Sequence, residues 1–183
     1  AATGSGIAPH RVEGVLGVLK AYTTRVGEGP MPTELRDVMG EMLRSEGGEY
    51  GATTGRPRRC GWFDAVVAKY SARINGIDRW ALTKLDVLDK VETIKICTAY
   101  EVDGERYETV PASARILDRC KPVYEEMPGW QTPITEVHEF EGLPQKAKDY
   151  VARIEEITGV KTGILSVGPR RDSTIVMEDC LFG

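Results

Sequence analysis

The sequence has no apolar run long enough to cross a membrane. Its 183 residues contain no stretch approaching the roughly 20 apolar residues that a bilayer span needs. The opening residues, Ala-Ala-Thr-Gly-Ser-Gly, have neither the basic region nor the apolar stretch of a signal peptide. We therefore predict a cytoplasmic protein that does not contact a membrane.

Cysteine and histidine are too few and too scattered to suggest a structural zinc site, so we predict no metal ligands in this chain. The six positions are Cys60, Cys97, Cys120, Cys180, His10 and His138. We expect the thiols to pack as small hydrophobic groups. The Gly-Lys-Ser/Thr phosphate loop, the His-Glu-x-x-His helix and the Gly-x-Ser-x-Gly elbow are all missing from the sequence, so we predict no catalytic residue of these kinds.

Charge and aromatic content argue against a nucleic-acid-binding protein. The 24 Lys and Arg residues are outnumbered by 28 Asp and Glu, giving a net charge of −4, and aromatic residues make up only 7%. A surface that binds nucleic acid needs clustered positive charge, and for single strands also stacking aromatics. With 41% hydrophobic and 28% charged residues, the composition is typical of a globular chain, which we treat as one domain over residues 1–183.

The periodicity of apolar residues predicts an α/β protein with a mostly parallel sheet, flanking helices and one antiparallel hairpin. Predicted helices cover residues 9–20, 62–75 and 144–158. A further short helix is predicted to be capped by Thr33 or Asp37 and to end near residue 46. Predicted strands cover residues 22–26, 80–85, 93–100, 106–110, 162–166 and 174–177. The proline-containing stretch 111–133 is predicted to be a surface excursion with short elements.

One polar, basic segment carries the groups needed to bind carboxylates and phosphates. It consists of Ala52, Thr53, Thr54, Gly55, Arg56, Pro57 and Arg58. Arginine pairs with such oxyanions through two parallel hydrogen bonds. Arg56 and Arg58 alternate along an extended stretch, so they can serve two different ligands. A solvated basic turn explains the same residues equally well.

A second segment, Thr83-Lys84-Leu85-Asp86, follows a predicted strand and suits guanine. A carboxylate at Asp86 can accept hydrogen bonds from N1–H and the exocyclic amine of the base, a donor pair that adenine does not offer. The stem of Lys84 can cover the base while its ammonium stays in solvent. The pattern is short enough to occur by chance.

A third segment, Ser166-Val167-Gly168-Pro169, also follows a predicted strand. The Ser166 hydroxyl and the N–H groups beside Gly168 can bind a purine carbonyl or a ribose. An ordinary turn between a strand and a loop is the alternative. The turn at Val26 and Gly27 is a weaker candidate for contact with a ribose or phosphate.

Taken in order, these segments resemble the C-terminal portion of the adenylosuccinate synthetases. The resembling stretches cover residues 2–9, 19–27, 29–35, 51–62, 82–89, 127–130 and 153–160, including Gly-Ala-Thr-Thr-Gly-Arg-Pro-Arg-Arg-Cys-Gly-Trp and Leu-Thr-Lys-Leu-Asp. The resemblance implies a ligase of purine biosynthesis that joins L-aspartate to IMP with GTP as phosphoryl donor, giving adenylosuccinate, GDP and phosphate. It also implies that the chain is part of a larger sheet like that of the P-loop NTPases.

The resemblance assigns a role to each segment. Residues 52–58 look like the loop that closes on aspartate, with Thr53 and Thr54 binding its carboxylate. Arg56 would bridge aspartate and the IMP ribose, and Arg58 would reach GTP. The guanine site would be formed by Lys84, Leu85, Asp86, Ser166, Val167 and Gly168. Val26 would contact the ribose of IMP.

The family polypeptide is more than twice as long as this chain, and its N-terminal half is absent from the sequence. The resemblance places the phosphate loop, the catalytic Asp and His, and the ligands of Mg²⁺ in that half. We therefore expect the isolated chain not to catalyse the ligation. Family members are homodimers by the same resemblance. A non-catalytic guanine-nucleotide-binding or interaction module remains the alternative.

Overall fold

A computed structural model describes residues 2–177 of the protein. The helices are α1 (Ala2–Ser5), α2 (Val38–Glu46), α3 (Ala65–Asn75), α4 (Ala114–Arg119) and α5 (Gln145–Thr158), with 3-10 turns at Pro9–Arg11, Leu85–Leu88 and Phe140–Gly142. The strands are β1 (Leu16–Lys20), β2 (Thr23–Arg25), β3 (Arg59–Gly61), β4 (Phe63–Asp64), β5 (Arg79–Thr83), β6 (Thr93–Val102), β7 (Glu105–Tyr107), β8 (Lys121–Pro128), β9 (Lys161–Ser166) and β10 (Thr174–Val176).

The first sheet runs in the order β1, β5, β9, β10. β1, β5 and β9 are parallel, and β10 returns antiparallel to β9. Trp80, Leu82 and Leu165 are fully buried, as expected for parallel strands with both faces covered. The carboxyl ends of three parallel strands therefore meet at one edge, where ligands bind in open α/β sheets.

Helices α2 and α5 confirm their predictions from sequence. The Asp37 carboxylate accepts a hydrogen bond from Gly40 N (3.1 Å) and caps the start of α2. α5 buries Tyr150 and Ile154 with their neighbours on one face, and Gly159 ends it in the left-handed conformation (φ 72°). Strands β2, β5, β6, β9 and β10 and the hairpin from β6 to β7 also lie where the sequence placed them.

The predicted helix over residues 9–20 is wrong. Its second half is β1, which pairs in parallel with β5 from Leu16 to Lys20. Gly17 explains the result, because a Cβ atom there would lie 2.3 Å from a ring carbon of Trp80. The helical spacing of the apolar residues is outweighed by this close approach and by a partner strand some 60 residues away.

Helix α3 begins later than predicted and buries a different face. Asp64 caps it by accepting from Val67 N (3.1 Å). The predicted apolar face included Val67 and Ile74, but these side chains are 42% and 58% exposed. The helix packs instead through small residues, Ala65, Ala68 and Ala72, together with Val66.

The stretch 111–133 is also more regular than predicted. It contains α4 and the eight-residue strand β8, which pairs antiparallel along most of β6. Prolines at positions 122 and 128 hid the strand in the sequence, although an edge strand tolerates proline. The α/β class is confirmed, and the described strands form two mixed sheets of four strands each and one antiparallel sheet of two.

The three described cysteines are buried, as expected, and Cys180 lies outside the described residues. The three tryptophans, Trp62, Trp80 and Trp130, are buried as well. Over residues 2–177, no helix is both long and apolar enough to span a bilayer.

Candidate functional site

A cavity of about 580 Å³ opens at the carboxyl ends of β5 and β9. Residues from both predicted guanine segments line it, namely Thr83, Lys84, Asp86, Ser166, Gly168 and Pro169, together with the neighbouring Val87. The structure thus brings together two segments some 80 positions apart. Leu85 and Val167 lie between the lining residues, but their side chains are fully buried in the core, so only their backbone groups can face a ligand.

The side chain of Lys84 extends from the end of β5 to the end of α2. Its backbone is left-handed (φ 63°), and its ammonium donates a hydrogen bond to the carbonyl of Gly47 (2.5 Å). The expectation that this ammonium stays in solvent is therefore wrong. The contact satisfies a helix-end carbonyl with a cation, which the helix dipole favours.

Two carboxylates, Glu46 and Asp86, line the cavity, and Asp86 is the one that belongs to a predicted guanine segment. Partial burial raises its pKa, while its own backbone N–H, the Lys84 ammonium and Val87 N–H act in the opposite direction. Within residues 2–177, no side chain donates a hydrogen bond to its oxygens. A half-buried carboxylate beside a cation is a suitable acceptor for a paired N–H donor.

The Ser166 loop is held firmly. Ser166 Oγ donates to the carbonyl of Gly168 (3.1 Å), and Val167 N donates to the carbonyl of Ser173 (3.0 Å). A Cβ atom at Gly168 would lie 2.9 Å from Ser173 Oγ. The loop therefore presents a fixed edge to the cavity.

Sequence reasoning missed one wall of the cavity, the end of α2. Ser45, Glu46, Gly47 and Gly48 also line it. A Cβ atom at Gly47 would lie 2.1 Å from the Tyr22 hydroxyl, so only glycine fits there. The signal in the sequence is the Gly-Gly pair after a predicted helix, which by itself indicates only the end of that helix.

The basic loop, residues 52–58, forms a narrow turn with a closed base. Tyr50 and Pro57 form an antiparallel bridge, and Gly51 N donates to the carbonyl of Arg56 (2.9 Å). Arg56 N in turn donates to Thr54 Oγ1 (3.3 Å). Residues 52–57 are exposed, so the side chains of the tip are available to ligands.

The two arginines of this loop have different surroundings. The Arg58 guanidinium is half-buried and pairs with Glu49 (Nη1–Oε2 2.7 Å). Within the described part of the chain, Arg56 is exposed and forms no ion pair. The structure thus separates an anchored arginine from one at the tip.

Glu49 is completely buried and holds three donors. Its carboxylate accepts hydrogen bonds from Lys20 (2.7 Å), the Tyr22 hydroxyl (2.7 Å) and Arg58 (2.7 Å). Burial would raise the pKa of Glu49, but these hydrogen bonds together keep it below its ordinary value. The carboxylate is therefore ionised at neutral pH.

Val26 is 71% exposed and precedes Gly27, which has a φ of 81°. Arg59 supports this turn by donating to the carbonyls of Gly27 (3.2 Å) and Gly29 (2.8 Å). Arg59 also pairs with Glu34 (2.7 Å). The Arg59 guanidinium is thus hydrogen-bonded within the protein, whereas that of Arg56 is exposed.

Parallel strands ending in a cavity with a carboxylate, a lysine and a fixed serine loop are typical of nucleotide-binding α/β proteins. The family model described as adenylosuccinate synthetase matches residues 1–175. The chain is 57% identical over 179 residues to the adenylosuccinate synthetase of Geotalea daltonii, and 58% identical over 181 residues to that of Mycobacterium marinum. The chain belongs to the adenylosuccinate synthetase family.

The matches cover 98% and 99% of this chain but only 42% of each bacterial relative. A solved structure, the fully ligated adenylosuccinate synthetase of Plasmodium falciparum, superposes with a TM-score of 0.92 at 41% identity. That superposition covers 97% of this chain and 43% of the other. The chain therefore spans less than half the length of these relatives.

Proposed function

We propose that the chain supplies the guanine pocket and the aspartate-binding loop of an adenylosuccinate synthetase. This ligase joins L-aspartate to IMP with GTP as phosphoryl donor, giving adenylosuccinate, GDP and phosphate in purine biosynthesis. The observation that carries the proposal is the single cavity lined by Lys84, Asp86 and Ser166. Family membership, with 57% identity to a synthetase, supports the same reading.

The cavity suits a guanine base. Asp86 accepts hydrogen bonds from N1–H and the exocyclic amine, which adenine cannot offer. Ser166 and the backbone beside Gly168 bind the edge of the purine, and the Lys84 stem covers its face. The cavity volume of about 580 Å³ lies within the roughly 300–1,000 Å³ of small-ligand sites.

The exposed loop suits the other ligands. Thr53 and Thr54 donate hydroxyl hydrogen bonds to the carboxylate of aspartate, and the backbone N–H of Gly55 holds the turn beside them by donating to the carbonyl of Gly51 (2.8 Å). Arg56 bridges aspartate and the IMP ribose, while Arg58 reaches the GTP side. An anchored guanidinium such as that of Arg58 stabilises charge that develops during phosphoryl transfer. Val26, at its exposed turn, contacts the ribose of IMP.

Three further parts of the proposal concern the larger protein. By the resemblance, we assign the Mg²⁺ ligands to the remaining part of the family polypeptide; over residues 2–177 no group of three His, Cys, Asp or Glu side chains is placed to hold a metal ion. β1 is an edge strand of the described sheet, which suits a larger P-loop-NTPase-like sheet within one domain. A cytoplasmic homodimer follows from the resemblance.

Nucleotide binding and ligation test the proposal separately. Calorimetry on the purified chain is expected to detect binding of GTP and guanosine but not of ATP; equal binding of ATP would overturn the guanine assignment. A coupled spectrophotometric assay with IMP, GTP, aspartate and Mg²⁺ is expected to find no turnover by the chain alone. Turnover should appear when the remaining part of the family polypeptide is added.

The alternative is a non-catalytic module that binds guanine nucleotides or a protein partner. The cavity favours it as much as the synthetase, because both need the same base contacts. Guanosine binding without any turnover in the supplemented assay would support this module. Neither outcome requires the isolated chain to be active.

A further inference from the structure

Glu49 is a fully buried carboxylate that the proposed ligand contacts do not use. Its side chain has 0% exposure and is paired with two cations, Lys20 and Arg58. A buried ion pair is costly in desolvation unless each partner is well placed. Such a network therefore fixes the positions of the groups it holds.

Arg58 is attached to Glu49 twice. Its guanidinium donates to the Glu49 carboxylate, and its backbone N–H donates to the Glu49 carbonyl (2.9 Å). These contacts close the base of the basic loop just outside the bridge between Tyr50 and Pro57. The side-chain contact involves one of the five N–H donors of arginine, so the others remain for an anionic ligand.

The same carboxylate is also fixed to the sheet and borders the guanine cavity. Lys20 is the last residue of β1, and Tyr22 precedes β2. Gly48, the residue before Glu49, lines the cavity, and the Lys84 ammonium holds the carbonyl of Gly47. Glu49 thus stands between the cavity wall and the base of the loop.

We propose that Glu49 is a positioning residue that holds the Arg58 guanidinium, and the base of loop 52–58, in a fixed place relative to the guanine cavity. The inference rests on the proposed function, because it takes the cavity to bind guanine and Arg58 to face the GTP phosphates. Glu49 itself contacts no ligand. A change at Glu49 should therefore weaken the binding of the GTP phosphates and leave the binding of the guanine base unchanged.

The test compares two ligands of the purified chain by calorimetry, with Glu49→Gln as the variant. We expect the affinity for GTP to fall about tenfold, since a charge-assisted hydrogen bond to phosphate is loosened. The affinity for guanosine, which has no phosphate, should change by less than about twofold. Glu34→Gln is the matched control, because it disrupts the neighbouring pair to Arg59 without touching the loop base, and it should leave both affinities unchanged.

Hydrogen exchange gives a readout that does not need a ligand. Glu49→Gln is expected to speed exchange at the amides of Gly51, Gly55 and Arg58, and Glu34→Gln is not. Should Glu49→Gln fail to fold, Tyr22→Phe removes one hydrogen bond to the carboxylate without unbalancing charge and is expected to shift both readouts in the same direction. Equal losses for GTP and guanosine, or unchanged exchange in the folded variants, would overturn the proposal. Failure of the unmodified chain to bind guanosine would instead reject the proposed function.

Discussion

The Lys84 ammonium donates a hydrogen bond to the carbonyl of Gly47 across one corner of the cavity, joining the end of β5 to the end of α2. We predict that Lys84→Met, which keeps much of the apolar stem, weakens guanosine binding about tenfold through loss of this charge-assisted hydrogen bond. Calorimetry provides the measurement. Lys161→Met is a suitable control, because Lys161 is exposed at the start of β9, away from the cavity, and pairs with Glu155. Equal affinities for both variants would contradict the prediction.

Asp86→Asn should change the preferred base of the cavity from guanine to xanthine. An asparagine amide accepts from N1–H but presents a donor where guanine has its exocyclic amine, whereas xanthine has a carbonyl there. We expect GTP affinity to fall about 100-fold and XTP affinity to rise, since two charge-assisted contacts are affected. Asp89→Asn serves as the matched control, because Asp89 accepts from Trp130 Nε1 and Ile134 N within the fold. A similar shift toward XTP in the control would refute the assignment.

Binding of guanosine should weaken in mild acid. Partial burial raises the pKa of Asp86 above that of an exposed aspartate, and only the ionised carboxylate accepts both donors of the base. Affinity is therefore expected to decline as the pH falls through this raised pKa. Titrations from pH 8 to about pH 4, at which folding is checked by circular dichroism, measure the effect. Constant affinity over the whole range would contradict it.

Gly17→Ala should destabilise the fold without touching the cavity. The added Cβ would lie 2.3 Å from the Trp80 ring and 2.7 Å from Ile77 Cδ1, so the strand must shift. We expect the free energy of unfolding to fall by about 1–3 kcal/mol, the usual cost of overpacking. Urea denaturation provides the comparison. Gly4→Ala, where nothing lies within 4 Å of the new atom, should be nearly neutral.

The pair between Glu34 and Arg59 should contribute stability that depends on pH. Hydrogen bonds from Arg59 lower the pKa of Glu34 from 4.5 to about 2, despite partial burial. A depressed pKa means that the stabilisation is complete above pH 4.5 and is lost as the pH falls toward 2. Glu34→Gln is expected to lower the free energy of unfolding by about 1–2 kcal/mol at pH 7, with the difference shrinking below pH 4.5. A difference that stays constant with pH would argue against this ion pair.

The sequence predicts those helices and strands whose apolar pattern and end residues lie within the element itself. α5 has one apolar face and a glycine stop, and the two segments predicted to bind guanine stand out in the sequence because each follows an apolar strand. β1 was misassigned because its pairing with β5 and its contact with Trp80 come from distant residues. Glu49 was not predicted as a site residue for the same reason, since Lys20 and Tyr22 reach it only in the folded chain.

The three buried tryptophans give the protein an intrinsic optical reporter. Shielded indoles emit at shorter wavelength and resist soluble quenchers, so unfolding should appear as a red shift of the whole emission band. Trp62 lies four residues beyond Arg58 and is 5% exposed. Its indole contributes part of the total emission, so a ligand that alters the packing next to the basic loop should change the wavelength or intensity of that band without any added label.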